Sequence, residues 1–206
     1  YNSLRSGSHS IEGHSFYVDY PGMIIPVAGF DPSLTHWGIA EAELDLSTGF
    51  LSLPSLTLVE PEKITTKQVR QNSTDLFVAE QLASIVVPIA RKAKAVFVEV
   101  PVGSQSARAM ASYGVCVGIL GALRAEGISL IEVTAFEVKK TFTGNKNATK
   151  QSMIERALEL YPDANFPRQG KRVTAKAEHV ADAIASIHAG VLTPTFQNLM
   201  RLYKKV

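Results

Sequence analysis

The run A-V-F-V-E-V, residues 95–100, constrains the fold more than any other stretch of this chain. Bounded by Lys94 and by Pro101 and Gly103, it reads as a short strand without a polar face. Such a strand is stable only when both faces are covered, which requires a sheet between helical layers rather than one open to water. Glu99 is the exception within the run. An ionised carboxylate there is costly unless a cation meets it, and no Arg or Lys lies within residues 96–102. Compensation has to come from a distant segment.

The remaining periodicities supply the layers. Ile24–Phe30, Trp37–Leu44 and Phe50–Val59 are short apolar or alternating runs separated by Pro, Ser, Thr and Gly, the pattern of an antiparallel meander. Residues 60–72 read as a polar loop carrying Lys63, Lys67 and Arg70. Ser73 or Thr74 is placed to cap a helix running to about Arg91, with Pro88 expected to kink or end it. Residues 104–126 read as a long helix ending near Gly127, and residues 128–133 as a second buried strand. A basic loop is expected over 139–149 and another over 167–176. Between them lies a helix that Pro162 stops, and after the second comes a helix that Gly190 caps. Three strands in series followed by helix–strand alternation predict an α/β fold: a mixed sheet, antiparallel then parallel, flanked by helices.

Residues 1–22 show neither helical nor strand periodicity and are expected to be a vector-derived leader or a flexible arm, with 23–206 forming one domain. At 46% hydrophobic and 19% charged, that length can bury one good-sized core. No apolar run reaches about 18 residues, so the expectation is an intracellular protein without a membrane partner. Cys116 is the sole cysteine, which removes disulfides and thiolate zinc sites. Between Lys139 and Lys176 nine Lys/Arg stand against three Asp/Glu, leaving the rest of the chain net acidic. A cationic face of this kind is either solvated surface or a seat for a phosphate backbone.

In A-E-H-V-A-D-A-I-A, residues 177–185, His179 and Asp182 stand at i and i+3 and share a helix face. Acids near a helix N-terminus are favourable without any chemistry, and Asp31 in G-F-D-P-S fits an ordinary Asx turn at a strand end. Taken with Glu99, however, they form a set of carboxylates and one imidazole. Carboxylates gathered in one pocket are tolerated when divalent cations neutralise them, and such a donor set suits Mg²⁺ or Mn²⁺ better than structural zinc. Two ions about 3.5–4 Å apart would support phosphodiester hydrolysis.

The order G-F-D-P-S, V-F-V-E-V-P and H-V-A-D-A-I-A resembles the RuvC family of Holliday-junction resolvases, within the RNase H-like nucleases. The resemblance runs from about Met23 to Gly190. It implies a five-stranded RNase H-like sheet, with Asp31, Glu99, His179 and Asp182 as the catalytic, metal-binding set for two Mg²⁺. It also implies DNA contacts by Lys139 and Lys150, with Lys140 and Lys146 as weaker candidates, in E-V-K-K-T-F-T-G-N-K-N-A-T-K. The implied activity is symmetric cleavage of four-way DNA by a homodimer, leaving a 3′-hydroxyl and a 5′-phosphate. Val102 departs from the pattern, standing where some members carry an aromatic that wedges into the junction. Gly114, Gly118 and Gly121 leave a smooth stripe on the long helix, either for dimer packing or for contact with the sheet. Cleavage of flaps, forks or other branched DNA is the near alternative, and a catalytically silent branched-DNA binder the further one. An actin-like nucleotide-binding domain also starts strand, acid, turn, but no Gly-rich phosphate loop is present.

Overall fold

The sheet is mixed and five-stranded. β1 (Ile24–Asp31) pairs antiparallel with β2 (Trp37–Asp45), which pairs antiparallel with β3 (Ser55–Val59). On its other side β1 pairs parallel with β4 (Ala95–Glu99), and β4 parallel with β5 (Leu130–Val133). The resulting order is β3-β2-β1-β4-β5. The computed structural model describes residues 23–62, 64 and 70–203; residues 1–22, Lys63 and Lys67 lie outside the described residues.

The side-chain period of two divides the core. Val27, Ala95, Phe97, Ile131 and Val133 face one layer, built by α3 (Ala135–Thr143), α4 (Lys150–Leu160) and α5 (Ala177–Gly190). Ala28, Phe30, Ile39, Val96 and Val98 face the other, built by α1 (Gln71–Lys92) and α2 (Ala107–Ala125). Phe97 and Val98, on opposite faces of β4, are both fully buried, as the two-sided covering of that strand requires.

Several local expectations are corrected. The third strand is shorter than its apolar run: Leu51 makes only an isolated bridge to Leu44, and Pro54, which has no N–H to donate, precedes Ser55. α1 begins at Gln71 after Arg70, with no side-chain cap, so neither Ser73 nor Thr74 caps it. It also continues through Pro88 to Lys92. Pro88 lies on the exposed side, so the carbonyl it leaves unbonded one turn earlier is open to water. α1 has the length and apolar content of a membrane span, which run-length reading passes over because polar residues interrupt it. Here Val78, Leu82, Val86 and Ala90 pack inward.

Residues 139–143 are helix rather than basic loop. Thr134 and Glu137 form a reciprocal capping box, and α3 ends at Gly144 in the left-handed region (φ 77°). Within 167–176 a small hairpin pairs β6 (Arg168–Gln169) with β7 (Arg172–Val173), turning at Gly170 (φ 60°). Gly190 does not cap α5 from outside; it is the helix's last residue, and a Cβ there would lie 2.1 Å from the Phe97 ring. A further helix, α6 (Pro194–Tyr203), lays Phe196 edge-on against Phe97, with centroids 5.1 Å apart.

Candidate functional site

Asp31 and Glu99 are the last residues of neighbouring parallel strands. Phe30 pairs with Val98 one residue earlier, so both carboxyl groups leave the sheet at the same end. By strand alternation Asp31 follows Val27 and Gly29, and Glu99 follows Ala95 and Phe97, onto the α5 side of the sheet. The C-terminal edge of parallel strands is where open α/β sheets gather ligands.

α5 is brought onto these strand ends by two glycines. A Cβ on Gly38 would sit 2.1 Å from the His179 carbonyl oxygen, and one on Gly29 would sit 2.0 Å from that of Ala183. Only a hydrogen fits at either place, so the helix backbone rests directly on β1 and β2. Its first turns thereby hold His179 and Asp182 over the strand ends. His179 Nδ1 is 2.8 Å from Asp31 Oδ2. A carboxylate accepts only, so the imidazole donates.

The charges of this cluster act on one another. Burial, then the charge of Asp31, pushes the Glu99 carboxyl up to about 7, with Lys139 pulling the other way. Burial again leads for Asp182, raised to about 8 with the help of Asp31, Glu99 and Glu178. For His179 burial works downward, but the hydrogen bond to Asp31 and the charges of Asp31, Glu178 and Asp182 outweigh it and hold the imidazole above its ordinary value. Among the described residues no three His, Cys, Asp or Glu side chains are already drawn together as a metal-holding group. The donor set nevertheless fits a hard divalent cation: Glu99 and Asp182, whose ionisation is hindered by burial and by Asp31, converge with Asp31 and one imidazole where a cation would let both ionise. Asp31, Glu99, His179 and Asp182 are the residues able to hold it.

The four lysines separate into two pairs. Lys139 acts on Glu99 from the last turns of α3. Lys150, at the start of α4, donates from Nζ to Glu178 Oε1 at 3.0 Å, and its positive form is favoured first by that bond and further by Asp182 and Asp31. Lys140 instead closes its own helix, donating to the Gly144 carbonyl at 3.0 Å. Lys146 is exposed in the turn between α3 and α4.

Gly114, Gly118 and Gly121 are exposed, and a Cβ at any of them would meet nothing within 4 Å. The sheet-contact reading of the stripe is therefore excluded; Cys116, Ile119, Leu120 and Leu123 form the inner face of α2. Between α1 and α2 runs an open groove of about 640 Å³, lined by Leu76, Ala83, Val87, Val115 and Gly118 among others. At one end of it Arg108 grips the buried Asp75 through two bonds of 2.6 and 2.7 Å. Val102 is 77% exposed beyond β4.

Sequence reading misses His36, Glu60 and Lys176. The His36 ring stacks on that of His179 with centroids 5.3 Å apart and planes within 1°. Its Nε2 lies 3.4 Å from Glu60 Oε1, and Glu60 is paired with Lys176. A lone histidine in S-L-T-H-W-G carries no periodicity signal, and its relation to His179 exists only once α5 lies on the sheet. Glu178 is visible in the sequence as a helix-start acid, but its contact with Lys150 is not.

These features define an RNase H-like α/β fold with an acid-lined site at the parallel edge of its sheet. Among solved structures the chain is similar to RuvC of Thermus thermophilus, with a TM-score of 0.56, 19% identity, and coverage of 87% of this chain and 97% of that one. It is similar to the same organism's RuvC in complex with a Holliday junction substrate, with a TM-score of 0.56, 17% identity, and coverage of 84% and 96%. The fold is thus RuvC-like. No protein-family model matches the chain, and no curated protein sequence matches it either.

Proposed function

We propose that the protein is a structure-selective DNA endonuclease that resolves four-way junctions by divalent-metal-dependent hydrolysis of phosphodiester bonds. One observation carries the reading: Asp31, Glu99, His179 and Asp182 come from three separated segments to the parallel edge of a RuvC-like sheet, where the charge of Asp31 acts on the other three. Asp31, Glu99 and Asp182 would hold two Mg²⁺, or Mn²⁺ in its place, with His179 as the nitrogen donor. When bound, such ions activate a water for in-line attack and stabilise the leaving 3′ oxygen.

The protein's own groups orient the substrate. Lys139 and Lys150 flank the carboxylates and offer phosphate contacts, which position a duplex without reading its sequence. Lys140 and Lys146 extend the basic surface along the same segment. A four-way junction presents two equivalent strands, so paired cuts call for a two-fold dimer. The apolar groove and the open glycine stripe of α2 are the surface we assign to it, with Leu76 70% exposed in the groove and Val117 43% exposed beside Gly121 on α2. Val102 supports a second substrate reading. An exposed valine where some RuvC proteins carry a wedge aromatic has less surface to stack on an unpaired base, which favours forks or flaps whose strands are already separated.

The test is cleavage of a synthetic four-way junction, a fork, a flap and a linear duplex, each with Mg²⁺, Mn²⁺ or EDTA. The junction is expected to be cut into two nicked duplexes only with metal, and Asp31→Asn to abolish cutting while leaving junction binding nearly intact. Equal cutting of linear duplex, or full activity of Asp31→Asn, would refute the proposal.

A further inference from the structure

We propose that His36 is a positioning residue for His179: its stacked imidazole, anchored through Glu60 to Lys176, fixes the plane in which His179 presents its nitrogen to a divalent cation. The inference rests on reading Asp31, Glu99, His179 and Asp182 as the cation site. A ligating imidazole must aim its lone pair in the plane of its ring, so ring orientation decides whether the ligand is usable. The hydrogen bond to Asp31 fixes one atom of the His179 ring but leaves rotation about that contact free. A second ring lying parallel at 5.3 Å removes that rotation.

His36 is itself held from both edges. Its Nδ1 lies 3.1 Å from Thr35 Oγ1 and its Nε2 3.4 Å from Glu60 Oε1. Nδ1 is thus within hydrogen-bond distance of the Thr35 hydroxyl, and Nε2 faces the Glu60 carboxylate at ion-pair distance. Glu60 is bonded in turn to Lys176, the residue immediately before α5. The bracket joins three segments: the β1–β2 turn through His36, the residue after β3 through Glu60, and the approach to α5 through Lys176. It closes over His179, whose side chain is only 20% exposed. Glu178 Oε1, 3.5 Å from His179 Nε2, faces the ring from its own helix.

The experiment compares the full chain with His36→Ala, His36→Phe and Glu60→Ala. Two readouts are used: NMR relaxation of the His179 ring in the metal-free protein, and Mn²⁺ binding by titration calorimetry. In His36→Ala the His179 ring is expected to become mobile, and Mn²⁺ affinity to fall about 10- to 100-fold, the usual range for losing a ligand's support. His36→Phe, which retains a flat ring, should restore both to near the unmodified protein, and Glu60→Ala should fall between. A ring as ordered in His36→Ala as in the unmodified protein would overturn the proposal, and so would a His36→Phe as impaired as His36→Ala. Asp31→Asn separates this from the cation reading. If it leaves Mn²⁺ binding unchanged while His36→Ala still frees the ring, the bracket stands and the metal assignment fails.

Discussion

Replacing Asp182 by Asn should stabilise the metal-free protein at neutral and alkaline pH. Asp182 is raised from 3.8 to about 8, which corresponds to about 6 kcal/mol between its charged and neutral forms at about 1.4 kcal/mol per unit. Between pH 3.8 and about 8 the native state keeps a proton that the unfolded chain has released, so stability falls as pH rises through that window. At pH 7 the part felt by folding is bounded by the gap to the unfolded value, about 4 kcal/mol. Water entry, side-chain rearrangement and the coupling to Asp31 and Glu99 reduce this to an expected ~2 kcal/mol. Asn has the same shape and no charge, so Asp182→Asn escapes the penalty. For a chain of this size that gain raises the melting temperature by about 4–8 °C. The assay is thermal unfolding in EDTA from pH 4 to pH 9. The two proteins should melt together near pH 4, diverge as pH rises, and keep a constant gap above about pH 8. Added Mn²⁺ should close the gap by stabilising the unmodified protein. A gap that is absent at pH 8, or the same at every pH, would refute the claim that Asp182 is a desolvated carboxyl crowded by like charges.

Three further outcomes follow from particular contacts. Gly29→Ala should destabilise the protein by about 3 kcal/mol or more, because its Cβ would lie 2.0 Å from the Ala183 carbonyl oxygen; urea unfolding measures it, and a change under about 1 kcal/mol would show that α5 moves aside freely. Lys150→Ala should weaken junction binding equally at all sequences and lower the slope of log affinity against log salt by about one, read by fluorescence anisotropy across a salt series; an unchanged slope would remove Lys150 from the DNA face. Gly118→Arg, placed mid-helix where a Cβ meets nothing, should keep the monomer folded, raise its stability by up to about 1 kcal/mol, and shift sedimentation from dimer to monomer. A dimer that survives Gly118→Arg would move the interface away from α2.

The layered architecture was legible in the sequence wherever hydrophobic pattern alone decides structure. The two-sided apolar run at Ala95–Val100 demands helices on both faces, and the structure supplies them. The parity of Asp31 and Glu99 within their strands likewise follows from the period of two once the strands are recognised. Local chemistry was less legible. The T-A-F-E capping box that starts α3 is present in the sequence, but the basic residues after it carry no apolar signal that would mark a helix. The continuation of α1 through Pro88 is not legible in the sequence, because the cost of a helical proline depends on which side of the helix it occupies, and that is fixed only by packing. The flush seating of α5 on Gly29 and Gly38 was not readable, since a glycine in a strand pattern announces neither its neighbour nor its distance. His36 was invisible for the same reason: stacking on His179 is a product of tertiary structure with no spacing of its own.

The proposed nuclease needs Asp31, Glu99, His179 and Asp182 to hold divalent cations together. Anomalous scattering from crystals soaked in Mn²⁺ tests it most directly, with Asp31→Asn crystals as the control. Manganese peaks are expected between those four side chains, and lost or markedly weakened in Asp31→Asn. Manganese found only elsewhere on the surface, or undiminished at the same place in Asp31→Asn, would contradict it.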